Sequence, residues 1–154
     1  AFIALGLIAV ILAISFRSLK FGLISIIPNL APALMAFGIW GIAVGRIDVG
    51  NAVVLTMALG IIVDDSVHFL SKYLRARREG QMSPEEAVRY AFSTVGSALV
   101  VTSFILVSGF LVLTLSPFGL NAGMGMLTAI VLLVALGADL LFLPPLLMRI
   151  EGEN

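Results

Sequence analysis

The sequence predicts an all-α membrane protein, a bundle of five transmembrane helices forming a single domain. Two observations carry that expectation. The chain of 154 residues is 60% hydrophobic and 12% charged, whereas a soluble domain carries about a quarter charged residues. Its apolar residues also fall in long continuous runs rather than alternating with a period of two, which argues against a barrel. Helices satisfy their backbone groups internally, as a bilayer without water requires.

About 20 apolar residues cross the hydrocarbon core as a helix. Five segments meet or approach that length: residues 1–16, 21–45, 50–70, 95–115 and 122–147. The first opens directly on "AFIALGLIAVILAISF", without the basic n-region or small-residue cleavage site of a signal peptide. It reads as a span shortened at its start, and the chain as a fragment of a longer protein. In the second span, "IIPNLAPALM" places Pro28 and Pro32 where they free backbone carbonyls and kink the helix. Further on, "GIWGIAVG" sets Gly41 and Gly45 in a small-xxx-small pattern suited to close helix packing.

The third span holds "LGIIVDDSVHFL", with Asp64 and Asp65 inside an apolar run and Gly60 one turn before them, where it can admit a neighbouring helix. "SKYLRARREG" then extends this helix as a basic stretch ending near Gly80. "SPEEAVRYAF" starts a new one. Ser83 is its N-cap, Pro84 its first position, and Glu86 completes an S-x-x-E capping box. Glu85 and Glu86 also suit the positive end of the helix dipole. Val88, Ala91 and Phe92 form an apolar stripe, so this short amphipathic helix is expected along the membrane surface, within a connection at residues 71–94. The fourth span carries Thr102 and Ser103, and the fifth carries Asp139.

Orientation follows from the connections. Alternate connections share a side, and one side collects eight basic residues while the other has Arg46 alone. The positive-inside rule assigns the rich side to the cytoplasm. The first span therefore begins outside, and the tail lies in the cytoplasm of a cell whose inner membrane holds the chain.

Composition narrows the function classes. Net charge is zero, so no generally basic surface is offered to nucleic acid. There is no cysteine, and the single histidine, His68, builds no multi-histidine metal site, so no metal is expected. No Walker-type phosphate loop is present.

The intramembrane acids are the candidate site. Counting from residue 50, Asp64 lies roughly 21 Å into the third span, past its middle. An ionised Asp near a helix centre costs on the order of 3 kcal/mol. Two adjacent acids repel when both are charged, which couples their titration, and such a pair can take up and release one proton at little cost. That is the property of a proton relay. Asp139, Thr102 and Ser103 fall at a similar depth on other spans, and His68 projects beside the acids at spacings of four and three residues. A hydrated path from Asp64 and Asp65 through His68 to Lys72 is expected. The alternatives are structural. The acids could be satisfied by hydroxyls of neighbouring helices, His68 could mark the interfacial end of its span, and Asp139 could be a packing group. Thr102 and Ser103 could bond back to their own helix.

Three stretches, "FRSLKFGLISIIPNLAPALMAFGIWGIAVG", "LGIIVDDSVHFLSKYLRARREG" and "GLNAGMGMLTAIVLLVALGADLLFLPPLL", together resemble the membrane half-domains of the resistance-nodulation-division superfamily. The branch is that of the MMPL-type exporters, relatives of Patched and of sterol-sensing domains. The resemblance covers nearly the whole chain and rests most on Gly60, Asp64 and Asp65. It implies helices two to six of a six-helix half. The Asp-Asp-His version and the short tail point to the C-terminal half. It also implies that Asp64 and Asp65 belong to a proton-translocating centre facing the other half, with no cofactor beyond protons. The implied function is proton antiport and efflux of lipids or hydrophobic small molecules by a secondary transporter, not an enzyme. The implied partners are the bilayer, the other transmembrane half and an extracytoplasmic porter domain; a homo-oligomer stays open. A sterol- or lipid-sensing module and an accessory motor of protein secretion are the alternative readings.

Overall fold

The structure is a computed structural model that describes residues 2–15, 17–46 and 48–152. All its regular elements are helical: α1 (Phe2–Ser15), α2 (Leu19–Val44), α3 (Val49–Arg78), α4 (Pro84–Ala91), α5 (Ser97–Leu113), α6 (Gly119–Gly137) and α7 (Leu143–Gly152). Two π turns, Phe92–Gly96 and Ala138–Phe142, join α4 to α5 and α6 to α7 without a break. Among the described residues, four rods are therefore long and apolar enough to cross a membrane: α2, α3, Pro84–Leu113 and Gly119–Glu151. Helix α1 covers 14 residues, roughly 21 Å, and packs along α2.

Each π turn has a local cause. In the first, the hydroxyls of Ser93 and Thr94 both donate to the Tyr90 carbonyl, at 2.9 and 2.7 Å, and so compete with the backbone ladder. In the second, Pro144 and Pro145 have no N–H to continue an α-helical ladder, and the Leu143 N–H reaches the Ala138 carbonyl five residues back.

Because the first turn is continuous, α4 is the start of the α5 rod rather than a separate helix. Its apolar stripe is turned inward. Ala87, Val88 and Ala91 are buried with Phe69, Leu70 and Tyr73 of α3 and Leu143 and Leu147 of α7. The expectation of a surface-lying helix is corrected accordingly. The capping box forms: Ser83 Oγ accepts from Glu86 N, and Glu86 Oε2 accepts from Ser83 N at 2.9 Å. Ser83→Ala is expected to cost about 1 kcal/mol, read as a lowered midpoint in thermal unfolding of the purified protein.

The middle of the bundle is a cluster in which small residues of α2 meet branched ones. Ala33 and Ala36 pack on Val54, Ala58 and Ile62 of α3 and on Leu127, Val131 and Ala135 of α6. Outward positions such as Phe104, Ile105 and Val112 are exposed, as suits a chain dissolved in lipid.

The glycines expected at helix crossings behave differently. Apart from the backbone of its own helix and its chain neighbours, nothing described lies within 4 Å of a Cβ built on Gly60 or Gly41. Gly45 has φ +69° and its N–H bonds the Gly41 carbonyl at 3.0 Å, so it ends α2 in a left-handed cap rather than packing a neighbour. Close approach occurs at Gly22 instead, where a Cβ would stand 3.0 Å from Ala13 Cα, and at Gly125 against α5. Helix α2 carries Pro28 and Pro32 without interruption.

Candidate functional site

Helical phase distributes the polar residues of α3 around its circumference. Asp64 and His68, one turn apart, share the outward face, with Nε2 3.6 Å from Oδ1 and side chains 72% and 62% exposed. Asp65, the next residue round, is half-buried. These three side chains form one wall of a groove of about 490 Å³ between α3 and the middle of the α5 rod. Thr102 stands on the opposite wall, among Val95, Leu99, Ile105 and Leu106. The Thr102 hydroxyl donates to the Ala98 and Leu99 carbonyls at 2.9 and 3.1 Å. It therefore bonds back to its own helix and presents the groove with lone pairs, not a proton. An acid pair, an imidazole and a hydroxyl acceptor inside a largely apolar groove can hold and pass a proton.

Two of the expected residues lie elsewhere. Ser103 is buried one turn before Val107, on the side where α5 packs against Ala129 and Leu132 of α6. Asp139 is 1% exposed and accepts a hydrogen bond from Ser66 Oγ at 2.9 Å. Ser66 follows Asp65 directly, yet it faces the interior of the bundle and is also 1% exposed. The polar layer expected across three helices is thus divided by α3, with the groove on one side and the Ser66–Asp139 pair on the other.

Sequence reading missed Ser66, whose signal was a hydroxyl directly after the acids. It also missed a latch at the end of the helices. There the buried Tyr73 hydroxyl donates to Glu151 Oε2, and Arg77 Nε donates to the same oxygen at 2.7 Å. Arg77 Nη1 also donates to the Met82 carbonyl at 2.6 Å. Glu151 is too far in sequence from Tyr73 and Arg77 for any local pattern to join them. Among the described residues, no group of three His, Cys, Asp or Glu side chains could hold a metal.

Long apolar helical rods with ionisable residues set inside them define a multi-pass membrane protein. The chain matches the MMPL family over residues 1–154 and belongs to that family. It is 28% identical over 158 residues to the membrane protein MJ1562 of Methanocaldococcus jannaschii, a match covering 96% of this chain. The chain spans 40% of that relative's length. No solved structure matches it.

Proposed function

We propose that the chain is the membrane module of a proton-motive-force-driven exporter of lipids or hydrophobic small molecules, with Asp64 and Asp65 as the proton relay. The observation that carries this reading is the shared groove of Asp64, Asp65, His68 and Thr102. Protonation of the acid pair neutralises charge in an apolar setting, and its release toward His68 and the cytoplasm restores it. Thr102 is a fixed acceptor for a water or a protonated carboxyl. Asp139 and Ser103 support helix packing from outside the groove.

The exposure of Asp64 and His68 bears on partners. Ionisable groups within spans almost always face a bundle interior or a watery cavity, so this face of α3 is where the other transmembrane half docks. Gly60 lies on the same exposed face one turn before Asp64, and its open Cβ position leaves room for a closely packed helix. Proton movement then shifts the packing of the two halves and moves the extracytoplasmic porter domain. The eight-to-one asymmetry of basic residues supports a cytoplasmic membrane location with the tail inside.

The test is transport by the full-length protein in sealed vesicles, with an imposed pH gradient and a panel of fluorescent lipids and hydrophobic dyes. Export that follows the gradient and stops on adding a protonophore is expected. The apolar walls of the groove favour one second reading, a lipid-sensing module. Saturable lipid binding with no flux under any gradient would select it and reject the exporter.

A further inference from the structure

The core stripes of three helices end, at one level, in three polar residues. On α2, Ala36 and Ala33 lead to Asn29. On α3, Ala58 and Ile62 lead to Ser66. On α6 and its π turn, Val131 and Ala135 lead to Asp139. The apolar members of these stripes pack together as one cluster, and Asn29, Ser66 and Asp139 each lie one turn beyond it on their own helix. The α2 segment around Asn29 borders this turn directly, since Pro28 and Pro32 line a common cleft with Gly137 and Ala138. One turn further, Leu70 and Leu143 are both 0% exposed and close the layer from the other side.

The three residues are 3%, 1% and 1% exposed. Ser66 gives its hydroxyl proton to Asp139 Oδ1. Asp139 Oδ2 and both polar atoms of the Asn29 amide have no hydrogen-bond partner among the described residues. A buried carboxylate and a buried amide left in that state are costly, and native proteins leave few such groups unpaired. The surroundings add one more acceptor, because Pro32 has no N–H to offer the Pro28 carbonyl beside Asn29.

We propose that Asn29, Ser66 and Asp139 form an interior binding site for one small monovalent cation. The chemistry of the donor set selects the occupant. Asn29 Oδ1, Asp139 Oδ2, the lone pairs of Ser66 Oγ and the Pro28 carbonyl are hard oxygen ligands. One carboxylate balances one positive charge, whereas a divalent ion of the calcium or magnesium kind takes more oxygen ligands or keeps several waters, and the sealed layer offers neither. The π turn serves the site directly, since it sets Asp139 at the point where α6 passes Asn29. This site is separate from the groove and does not depend on the export reading.

The test uses the full-length protein in detergent, measuring radiolabelled sodium binding and the thermal unfolding midpoint in sodium, potassium or choline chloride at equal ionic strength. Wild type is expected to bind sodium saturably and to unfold at a higher temperature in sodium or potassium than in choline. Asp139→Asn is expected to lose both effects. Asn29→Leu, which keeps the volume of the side chain without its oxygen, is expected to lose them as well. It remains informative if the Asp139 variant fails to fold. Equal midpoints in all three salts with no sodium binding would overturn the proposal. So would binding that survives both variants, or that is lost in Asp64→Asn while Asp139→Asn retains it.

Discussion

Gly125→Val is expected to disrupt the α5–α6 hairpin and to lower the stability of the protein by about 3 kcal/mol, the upper end of ordinary overpacking. A Cβ at this position would stand 2.6 Å from the Phe110 carbonyl oxygen and 3.0 Å from Leu113 Cβ. The first obstacle is backbone inside a helix, so no side-chain rotation relieves it. The β-branch adds methyl groups at the point of closest contact. Gly109→Ala is the matched control, because a Cβ on Gly109 meets nothing described within 4 Å beyond its own helix backbone and chain neighbours. Its expected effect is neutral to slightly favourable, by up to about 1 kcal/mol of helix propensity. Thermal unfolding of the two purified variants, together with the fraction recovered as monodisperse protein, checks the contrast.

Glu151→Ala is expected to release the end of α7 from α3 at a cost of about 2 kcal/mol. The Tyr73 hydroxyl, whose side chain is 0% exposed, would lose its acceptor, and Arg77 would lose its carboxylate partner. Most of the cost lies in those stranded groups and not in the net worth of the ion pair, which is partly open to solvent. Glu151→Gln keeps an acceptor oxygen for the phenol and should recover part of the loss. Hydrogen exchange across α7 reads the release locally, with faster exchange in Glu151→Ala than in Glu151→Gln.

The all-helical membrane architecture was legible in the sequence because apolar runs of sufficient length and the near absence of charge inside them are local properties. So was the capping box at Ser83, where all the necessary atoms lie within four residues. Helical phase was legible too, and it brought Asp64 and His68 to one face. What the sequence hid depends on which neighbour each face meets. Asp139 shares a depth with Asp64, but depth does not fix rotation, and the stripe of Val131 and Ala135 turns it toward α2 and the inner side of α3. Asn29 was overshadowed by the prolines beside it, although a polar amide on a stripe of buried alanines was the signal of an interior polar layer. Gly41 and Gly60 fit a packing pattern that small residues on an open helix face satisfy equally well. The inward turn of α4 was also hidden, because an amphipathic stripe looks the same whether lipid or protein covers it.

In the proposed exporter, the paired acids of the groove carry protons across the membrane. Proton flux into sealed vesicles containing the full-length protein, followed with an entrapped pH-sensitive dye, tests this most directly for wild type, Asp64→Asn and Asp65→Asn. Loss of a positioned acid or base typically costs on the order of a hundredfold or more in rate, so each variant is expected to reduce substrate-coupled proton flux to near background while inserting and unfolding normally. Wild-type flux in both variants, under conditions where wild type demonstrably transports, would rule out the relay and leave Asp64 and Asp65 as structural groups.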